Sequence, residues 1–358
     1  MCVPAMATSR ELVYSVYEGE SVRRLPLHFE SVEKEHEAKL GDVLLGHGWV
    51  SLWENWFYDG GPFRRLKGES VSEWADRLDV EAGFNWPSIS DVIESSYSGF
   101  RDNIEPFKDR GLFIVYEIIG PTEHAEYSMM PPRPKPGFKY DLAYHNLDFA
   151  KLLIANRRKA IKLYDILAKY TLELAKFASE LEIVDAVRIA DDAFAYSGSI
   201  YPKWFMENHY LRWHKLFTNA IKRRGKKAIL HCDGDVSSMN FVSKLTEIYD
   251  GIHPLDVYAK STPESALQWA RKVADIRRNI GWKAVFHTGI SIDLVVNDSV
   301  SVEEFVRIVK FFIQQHGMKM LVLSVTHRPY PGRSFSEPLV LAKVNAVRKL
   351  MGLSEVRL

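Results

Sequence analysis

The sequence is poor in the features that mark extracellular, membrane-spanning or nucleic-acid-binding proteins. It has only two cysteines, Cys2 and Cys232, in 358 residues, which excludes a framework of disulfides and suits a reducing compartment. No stretch approaches roughly 18 uninterrupted apolar residues, and the first residues contain no apolar run long enough for a signal peptide. The 47 lysines and arginines balance 46 aspartates and glutamates, so no bulk charge favours nucleic acid or an acidic membrane. We therefore expect a cytoplasmic protein that acts without nucleic acid or membrane.

From about residue 110 onward, short apolar runs alternate with longer amphipathic segments. The runs are rich in valine, isoleucine and leucine, as in strands that are buried on both faces of a parallel sheet. Seven or eight repeated strand–helix units predict a closed (β/α)8 TIM barrel in a chain of this length. An open doubly wound sheet is the alternative, although no G-x-G-x-x-G motif follows any run, which weakens its dinucleotide-binding form. The predicted strands are 25–29, 112–118, 186–190, 227–231, 251–255, 283–287 and 318–325.

Amphipathic segments between these runs predict the helices, and several begin with proline or serine in the first turn, as at Pro263. Residues 31–110 fit the alternation poorly. We interpret them as an N-terminal elaboration around one barrel mouth, within a single domain that spans 1–358. Residues 127–137 contain four prolines and predict an irregular loop. The predicted helices are 10–19, 148–180, 204–224, 237–248, 263–280, 302–316 and 338–351.

Polar and titratable residues end nearly every apolar run, which in a barrel places them at the rim where active sites form. A single residue of this kind is commonly a hydrogen-bonded structural group. Six such positions in sequence order favour an active site over coincidence. The residues are Glu117, Asp191, Asp192, His231, Asp233, His253, His287, His327 and Arg328.

The segment His-Cys-Asp-Gly-Asp at 231–235 is the sharpest local feature. Side chains alternate along a strand, so His231 and Asp233 should point into the barrel and Cys232 should pack outward. Gly234 permits an immediate turn, and Asp235 precedes a predicted helix, where it suits an N-cap. His231 and Asp233 could together bind one ligand or one metal ion.

Two further positions offer charged groups. Asp191 and Asp192 form a paired carboxylate, in which one can bind substrate while the other caps a helix or pairs with an arginine such as Arg188; pairing would raise one pKa. His327, directly before Arg328, suits the anionic groups of a substrate.

Residues 189–235, IADDAFAYSGSIYPKWFMENHYLRWHKLFTNAIKRRGKKAILHCDGD, resemble the uroporphyrinogen decarboxylase superfamily. The family pattern has a D-D pair, an S-G-x-x-x-x-P-x-x-F segment, a helix, an R-G turn and an H-x-[C/D/S]-G strand end. The likeness covers most of the chain, is dense after residue 180 and is loose from 31 to 110. It implies a (β/α)8 enzyme. Further matching stretches are SRELVYSVYEGESVRRLPLHFE, DGIHPLD, HTGISIDLVVNDSVSVEEF and VTHRPYPGRSFSEPLVLAKVNAVRKL.

This superfamily divides broadly into porphyrinogen decarboxylases and methyltransferases that exchange methyl groups with corrinoid proteins. The decarboxylases share a Q-A-G-R segment near the first strand, where this sequence has PLHFES, and a G-A-P-W-T run, where it has IIGPTEHAEY. Both departures disfavour haem-pathway decarboxylation. Zinc methyltransferases of the family carry H-x-C and a later cysteine, and the matching positions here are His231, Asp233 and His327. These three could bind a divalent metal such as zinc, or the histidines could work as acid/base groups without metal.

The resemblance leads us to expect a methyltransferase that moves a methyl group from a small O- or N-methylated substrate to a corrinoid carried by a partner protein. Asp192 should act with His231, Asp233 and His327 in catalysis. Substrate should be held by Glu117, Tyr127, His253 and Arg328.

Two alternatives stay open at this point. The first is a lyase that decarboxylates uroporphyrinogen or another polycarboxylate; it would need cationic groups at the mouth, such as Arg328, Arg64 and Arg65. The second is a non-catalytic barrel that binds a tetrapyrrole. Under each of these hypotheses the protein could form a homodimer.

Overall fold

The computed structural model describes residues 7–48, 56–57, 60–131 and 147–358. Its main sheet has eight parallel strands: β1 Leu27–His28, β2 Val43–His47, β3 Phe113–Ile119, β4 Ala186–Ala190, β5 Lys227–Cys232, β6 Gly251–Pro254, β7 Val285–Ile290 and β8 Leu321–Val325. The order β1-β8-β7-β6-β5-β4-β3-β2 follows the chain around the sheet. The backbone amide of Asp42, just before β2, donates to the Leu27 carbonyl of β1 at 2.7 Å, which brings the outer strands together. The strands thus form the nearly closed (β/α)8 barrel that the alternation predicted.

Helices connect successive strands, and α1 precedes β1. Among the described residues, none of the helices is both long and apolar enough to cross a bilayer. The main helices are α1 Ser9–Tyr17, α2 Lys34–Leu40, α3 Val71–Arg77, α4 Ile89–Ile104, α5 Pro121–Tyr127, α6 Asp148–Ala155, α7 Arg157–Glu180, α8 Leu211–Lys222, α9 Phe241–Thr246, α10 Pro263–Ile280, α11 Ile292–Val295, α12 Val302–His316 and α13 Pro338–Leu350.

Residues 31–110, interpreted above as an elaboration around one mouth, also form part of the barrel itself, because they supply strand β2 and helices α2 and α4. Strand β2 was hidden by the glycine at its fourth position. A β-carbon on Gly46 would lie 2.4 Å from Cδ2 of Phe100 in α4, so glycine is needed there for the close approach of helix and strand. In the sequence alone, the same glycine indicates a loop and not a strand.

Part of this region does lie at the barrel mouth, the end of the barrel formed by the carboxyl ends of the strands. The amides of Gly61 and Phe63 donate to the carbonyls of Met130 and Ser128 at 2.8 and 2.9 Å. Residues 128–130 directly follow α5, which itself follows β3. The segment around residues 60–63 therefore packs beside the carboxyl end of β3.

Two predicted boundaries are also corrected. The helix expected over 148–180 is divided at Asn156, whose side chain accepts from the Lys159 amide at 3.2 Å and so caps α7. Tyr127, expected to open an irregular loop, instead ends α5. Pro132, Pro134 and Pro136 of that predicted loop lie outside the described residues.

The barrel interior has an apolar layer at the amino ends of the strands and a polar layer above it. In the apolar layer, Val13 and Val16 of α1 pack against the strands' inward-facing residues and close this end. Two residues further along the strands, the inward positions become charged or polar, so the polar layer lies beneath the mouth. The apolar strand residues are Val43, Leu45, Phe113, Val115, Ala186, Ile229, Val285 and Val322. The polar layer includes His28, Glu30, His47, Glu117, Arg188, His231 and His253.

Candidate functional site

Three side chains converge where β4 and β5 end: Asp192, His231 and Asp233. Each offers a ligand atom, and these atoms lie within 4.8 Å of one another. The Asp233 amide donates to Asp192 Oδ1 at 2.8 Å, and His231 Nε2 lies 4.0 Å from Asp233 Oδ1. Asp233 Oδ1 is buried and accepts no hydrogen bond. This trio, called the Asp–His–Asp cluster below, is the group of potential metal ligands found among the described residues.

The local sequence of β5 produces this arrangement by strand alternation. His231 and Asp233 face the cluster, whereas Cys232 is fully buried in the core on the opposite side, as predicted. Gly234 then turns the chain with φ +91°, and a β-carbon there would lie 2.5 Å from the Phe194 backbone. Asp235 accepts from the Ser237 amide at 2.9 Å and stabilises a local turn. The predicted helix N-cap is wrong, because the next helical segments begin after Ser237 and Asn240.

Burial and mutual repulsion set the charges of the cluster. Burial and the neighbouring Glu123 raise the pKa of Asp192 well above its usual value. Burial and Asp192 do the same to the pKa of Asp233. Burial and the Arg188 guanidinium lower the pKa of His231 to about 3. A neutral imidazole and two carboxyl groups that ionise reluctantly together form a site that a cation would stabilise.

The two adjacent aspartates have different roles in the structure. Asp191 is fully buried, and its Oδ1 accepts from the amides of Thr122 and Glu123 at 2.8 and 3.2 Å. These amides belong to the first turn of α5, so Asp191 caps that helix; its Oδ2 lies 3.0 Å from His214 Nε2. Asp192 is therefore the member of the pair that belongs to the Asp–His–Asp cluster. The suggested pairing of this acidic pair with Arg188 is wrong.

Arg188 instead holds the polar layer inside the barrel. Its Nε donates to Glu117 at 2.5 Å and its Nη2 donates to Glu30 at 2.8 Å. Strand β3 continues to Ile119, so Glu117 lies within the strand and not at its end as expected. Burial alone would raise the pKa of Glu117, but Arg188 and His47 hold it at about 2. Glu117 is therefore an ionised interior group, 2.9 Å from His47 Nδ1.

His287 was also expected at a strand end and lies elsewhere. Strand β7 continues to Ile290, and His287 Nε2 is 2.7 Å from the hydroxyl of Tyr17 in α1. This histidine therefore faces the barrel interior, where it lines a cavity with Arg188 and His253, and does not lie at the rim. Sequence placed it wrongly because the apolar run 283–287 ends before the strand does.

His327, the predicted third metal ligand, does not join the Asp–His–Asp cluster. Its Nδ1 lies 2.8 Å from the Arg328 carbonyl, and its ring is stacked at 6.2 Å from that of Tyr330. Among the described residues the cluster takes Asp192 in its place. His327 and the half-buried Arg328 follow β8 at the same mouth.

The two remaining predicted substrate-binding residues, Tyr127 and His253, contact the cluster directly or through one other side chain. Tyr127 donates to Glu123 Oε2 at 2.7 Å, and the Asp192 amide donates to Glu123 Oε1 at 3.3 Å. Tyr127 is thus linked to Asp192 through Glu123, whose pKa burial raises to about 8. His253 is 1% exposed and lies against His231, with the two Nδ1 atoms 2.7 Å apart.

Sequence reasoning missed a second polar group at the mouth, formed by residues that follow β6 and β7. Lys260, 4% exposed, lies 2.6 Å from Asp256 Oδ1 and 4.0 Å from Asp293 Oδ2. Tyr330 donates to Asp293; Tyr196 is 58% exposed and Tyr330 42%. Asp256 directly follows an apolar run and could have been found by the strand-end argument. Lys260 and the tyrosines lie in loops that carry no comparable signal.

Comparison with known proteins was made on sequence and on fold. A scan against protein-family models gives no match for this chain, and a search of curated proteins gives none either. Among solved structures, a methyltransferase from Methanosarcina mazei matches with a TM-score of 0.61 at 15% identity, covering 96% of this chain and 99% of that one.

Two other solved structures match more weakly. A GH27 β-L-arabinopyranosidase from Geobacillus stearothermophilus has a TM-score of 0.47 at 11% identity and covers 92% of this chain and 77% of that one. A B12-independent methionine synthase from Shewanella sp. W3-18-1 has a TM-score of 0.39 at 14% identity and covers 75% and 70% of the two chains. At these identities the comparisons establish fold alone: this chain shares the fold of the Methanosarcina methyltransferase over nearly its whole length.

Proposed function

We propose that this protein is an enzyme that transfers a methyl group from a small O- or N-methylated compound to a corrinoid held by a partner protein. The observation that carries the proposal is the Asp–His–Asp cluster at the carboxyl ends of β4 and β5, where barrel enzymes place their chemistry. The shared fold with a methyltransferase and the sequence resemblance to the uroporphyrinogen decarboxylase superfamily support the same reaction class.

The cluster has the donor set of a divalent cation site. Zinc accepts imidazole nitrogen and carboxylate oxygen, and catalytic zinc sites use three protein ligands with a further position open to substrate. Asp233 Oδ1 is buried without a hydrogen-bond donor, so this oxygen is available to a cation. Asp192, His231 and Asp233 would hold such a metal ion. It would supply Lewis acidity to the departing oxygen or nitrogen of the substrate.

The reaction requires the residues of the chain to assist the departure of the heteroatom. The C–O or C–N bond breaks with its electron pair left on the heteroatom, which takes up a proton. The methyl carbon bonds to cobalt through the electron pair of the reduced corrinoid. The heteroatom is a poor leaving group, so general-acid or Lewis-acid assistance is required. In a metal-free reaction Asp192 or Asp233 would give the proton, because burial raises the pKa of both carboxyl groups.

The charges at the mouth disfavour the decarboxylase alternative. A polycarboxylate needs several cations that face it, but Arg188 is occupied by Glu30 and Glu117, and Lys260 by Asp256. Arg328 follows β8 at the mouth and supplies one positive charge. Arg64 and Arg65 line another pocket, of about 440 Å³, which none of the cluster residues lines. The cluster contributes two carboxyl groups and no cationic side chain, which suits a neutral or cationic methyl donor better than a polycarboxylate.

Methyl transfer can be measured directly with zinc-loaded protein and free cob(I)alamin, following methylcobalamin formation by its absorption spectrum. Methanol, methoxybenzoate and trimethylamine serve as donors, and uroporphyrinogen decarboxylation is assayed in parallel. We expect transfer from at least one donor, reduced about 100-fold or more in His231→Ala and Asp233→Asn. Asp275→Asn, an exposed acid on α10, is the matched control and should leave the rate unchanged. Uroporphyrinogen turnover without methyl transfer, or full activity of Asp233→Asn, would contradict the proposal.

A further inference from the structure

His231 and His253 form an imidazole pair beneath the mouth. Their ring centroids are 4.9 Å apart, and the Nδ1 atoms of the two rings are 2.7 Å apart. At this distance one nitrogen must carry a proton and the other must accept it, because two N–H groups would repel each other. The tautomers of the two rings are therefore linked.

The carbonyl of Val325 in β8 decides which nitrogen is protonated. It lies 2.9 Å from His253 Nε2, and a carbonyl can only accept, so this nitrogen carries a hydrogen. His253 is 1% exposed. A free imidazole is already neutral above about pH 6.5, and His253 lines an interior cavity together with the Arg188 guanidinium, which disfavours a second positive charge, so near pH 7 the ring has one N–H. His253 Nδ1 is then bare and acts as the acceptor.

The consequence for His231 follows directly. Its Nδ1 must donate to His253, which leaves Nε2 without a proton and with its lone pair free. This Nε2 is the atom that lies 4.0 Å from Asp233 Oδ1 in the Asp–His–Asp cluster. An isolated histidine side chain in water favours the opposite tautomer, with the proton on Nε2. The reactive tautomer of His231 is therefore imposed by its surroundings.

We propose that His253 is a positioning residue, which holds His231 in the Nδ1–H tautomer and so presents a bare Nε2 to Asp192 and Asp233. This inference adds to the proposed function. It rests on that function only for what the Nε2 lone pair does, which is to bind a cation or accept a proton. His253 thereby acts through His231 instead of touching substrate. Histidine ligands of metal sites are commonly oriented through their second ring nitrogen in this manner, often by a carboxylate or carbonyl. Here a neutral imidazole performs that task and brings no additional negative charge.

The test reads the tautomer by ¹⁵N nuclear magnetic resonance on the full, metal-free chain with labelled histidines. His231 resonances are assigned by their disappearance in His231→Gln. We expect the Nδ1 shift of a protonated nitrogen and the Nε2 shift of an unprotonated one. In His253→Leu, which has no acceptor, His231 should shift toward the Nε2–H form. His253→Asn places an amide oxygen near the position of Nδ1 and should restore the original pattern.

Zinc affinity, measured by chelator competition, provides the second readout. His253→Leu should weaken binding by about 10- to 100-fold, and His253→Asn should recover most of this loss. His287→Leu is the matched control: it removes another buried lumen histidine, one that contacts Tyr17 instead of His231, and should change neither readout.

The wild-type spectrum alone can overturn the inference, even if His253→Leu does not fold. A protonated Nε2 on His231 in the wild-type protein would refute it, as would a tautomer unchanged by His253→Leu. Neither result depends on methyl transfer, so an inactive protein with the expected tautomer would refute the proposed function and leave the role of His253 standing.

Discussion

Replacing Arg188 by methionine removes the positive charge at the centre of the barrel interior. The arginine donates to Glu117 at 2.5 Å and to Glu30 at 2.8 Å, and all three side chains are at most 5% exposed. Methionine has a similar length and keeps the apolar contacts of the arginine stem. The two carboxylates then lose their shared cation inside the protein, where water cannot replace it.

The cost of this substitution is large. Breaking a buried ion pair by removing one partner costs about 3 to 5 kcal/mol, because the remaining charge is left uncompensated. Glu117 keeps His47 as a hydrogen-bond partner, at 2.9 Å, which limits the loss. We therefore expect the free energy of unfolding of Arg188→Met to be lower by about 3 kcal/mol or more at pH 7.

The loss should depend on pH. In the wild-type protein the pKa of Glu117 is lowered from 4.5 to about 2, so its stabilising contribution is present above pH 4.5 and is lost as pH falls through 2. Without Arg188, burial raises that pKa above 4.5. In the variant, an ionised Glu117 lowers the free energy of unfolding only at higher pH, where this group loses its proton. The difference between the two proteins should be largest near pH 7 and should shrink as pH falls toward 4.5.

Urea unfolding followed by circular dichroism measures this difference at pH 7 and pH 5. A triple variant, Arg188→Met with Glu30→Gln and Glu117→Gln, removes all three charges and should regain most of the lost stability. A loss below about 1 kcal/mol at pH 7, or a loss that is the same at both pH values, would refute this account of the interior.

Three further predictions follow from single side chains. Asp191→Ala removes the cap of α5 and leaves buried amides unpaired, and it should lower the free energy of unfolding by about 1–3 kcal/mol in urea; an unchanged midpoint would contradict the cap. In a Cys2→Ser variant, which keeps Cys232 as its single thiol, that fully buried group with its raised pKa should react with Ellman's reagent only in denaturant; rapid labelling of this native variant would contradict the prediction. Glu123 has its pKa raised from 4.5 to about 8, so wild-type stability should fall as pH rises between these values. Asp192 and Asp233 contribute to the same slope, so Glu123→Gln should reduce it and be about 3 kcal/mol more stable at pH 7; an equal slope in both proteins would argue against a protonated Glu123.

The barrel and the orientation of 231–235 were predictable because both depend on local pattern. Runs of valine, isoleucine and leucine mark buried strands, and alternation along a strand fixes which side His231 and Asp233 share. The confirmed burial of Cys232 on the opposite face follows from the same two-residue period.

The remaining parts of the site depend on contacts between distant positions. Asp191 was separable from Asp192 only through its contact with Thr122, which lies in the first turn of α5, 69 residues earlier in the chain. Strand β3 extends to Ile119, one residue beyond the predicted end, and Glu117 lies in the interior instead of at the mouth. The linked protons of His231 and His253 depend on a carbonyl 72 residues beyond His253, which no sequence pattern encodes.

The central claim is that Asp192, His231 and Asp233 form a cation site built from nitrogen and oxygen. X-ray absorption at the zinc edge of zinc-loaded, full-length protein tests it most directly. We predict about one zinc ion per chain, a shell of nitrogen and oxygen at about 2.0–2.2 Å, and no sulfur at about 2.3 Å. Zinc should be lost from Asp192→Asn/Asp233→Asn and retained by His327→Ala. A sulfur shell, or stoichiometric zinc in the double aspartate variant, would contradict the claim.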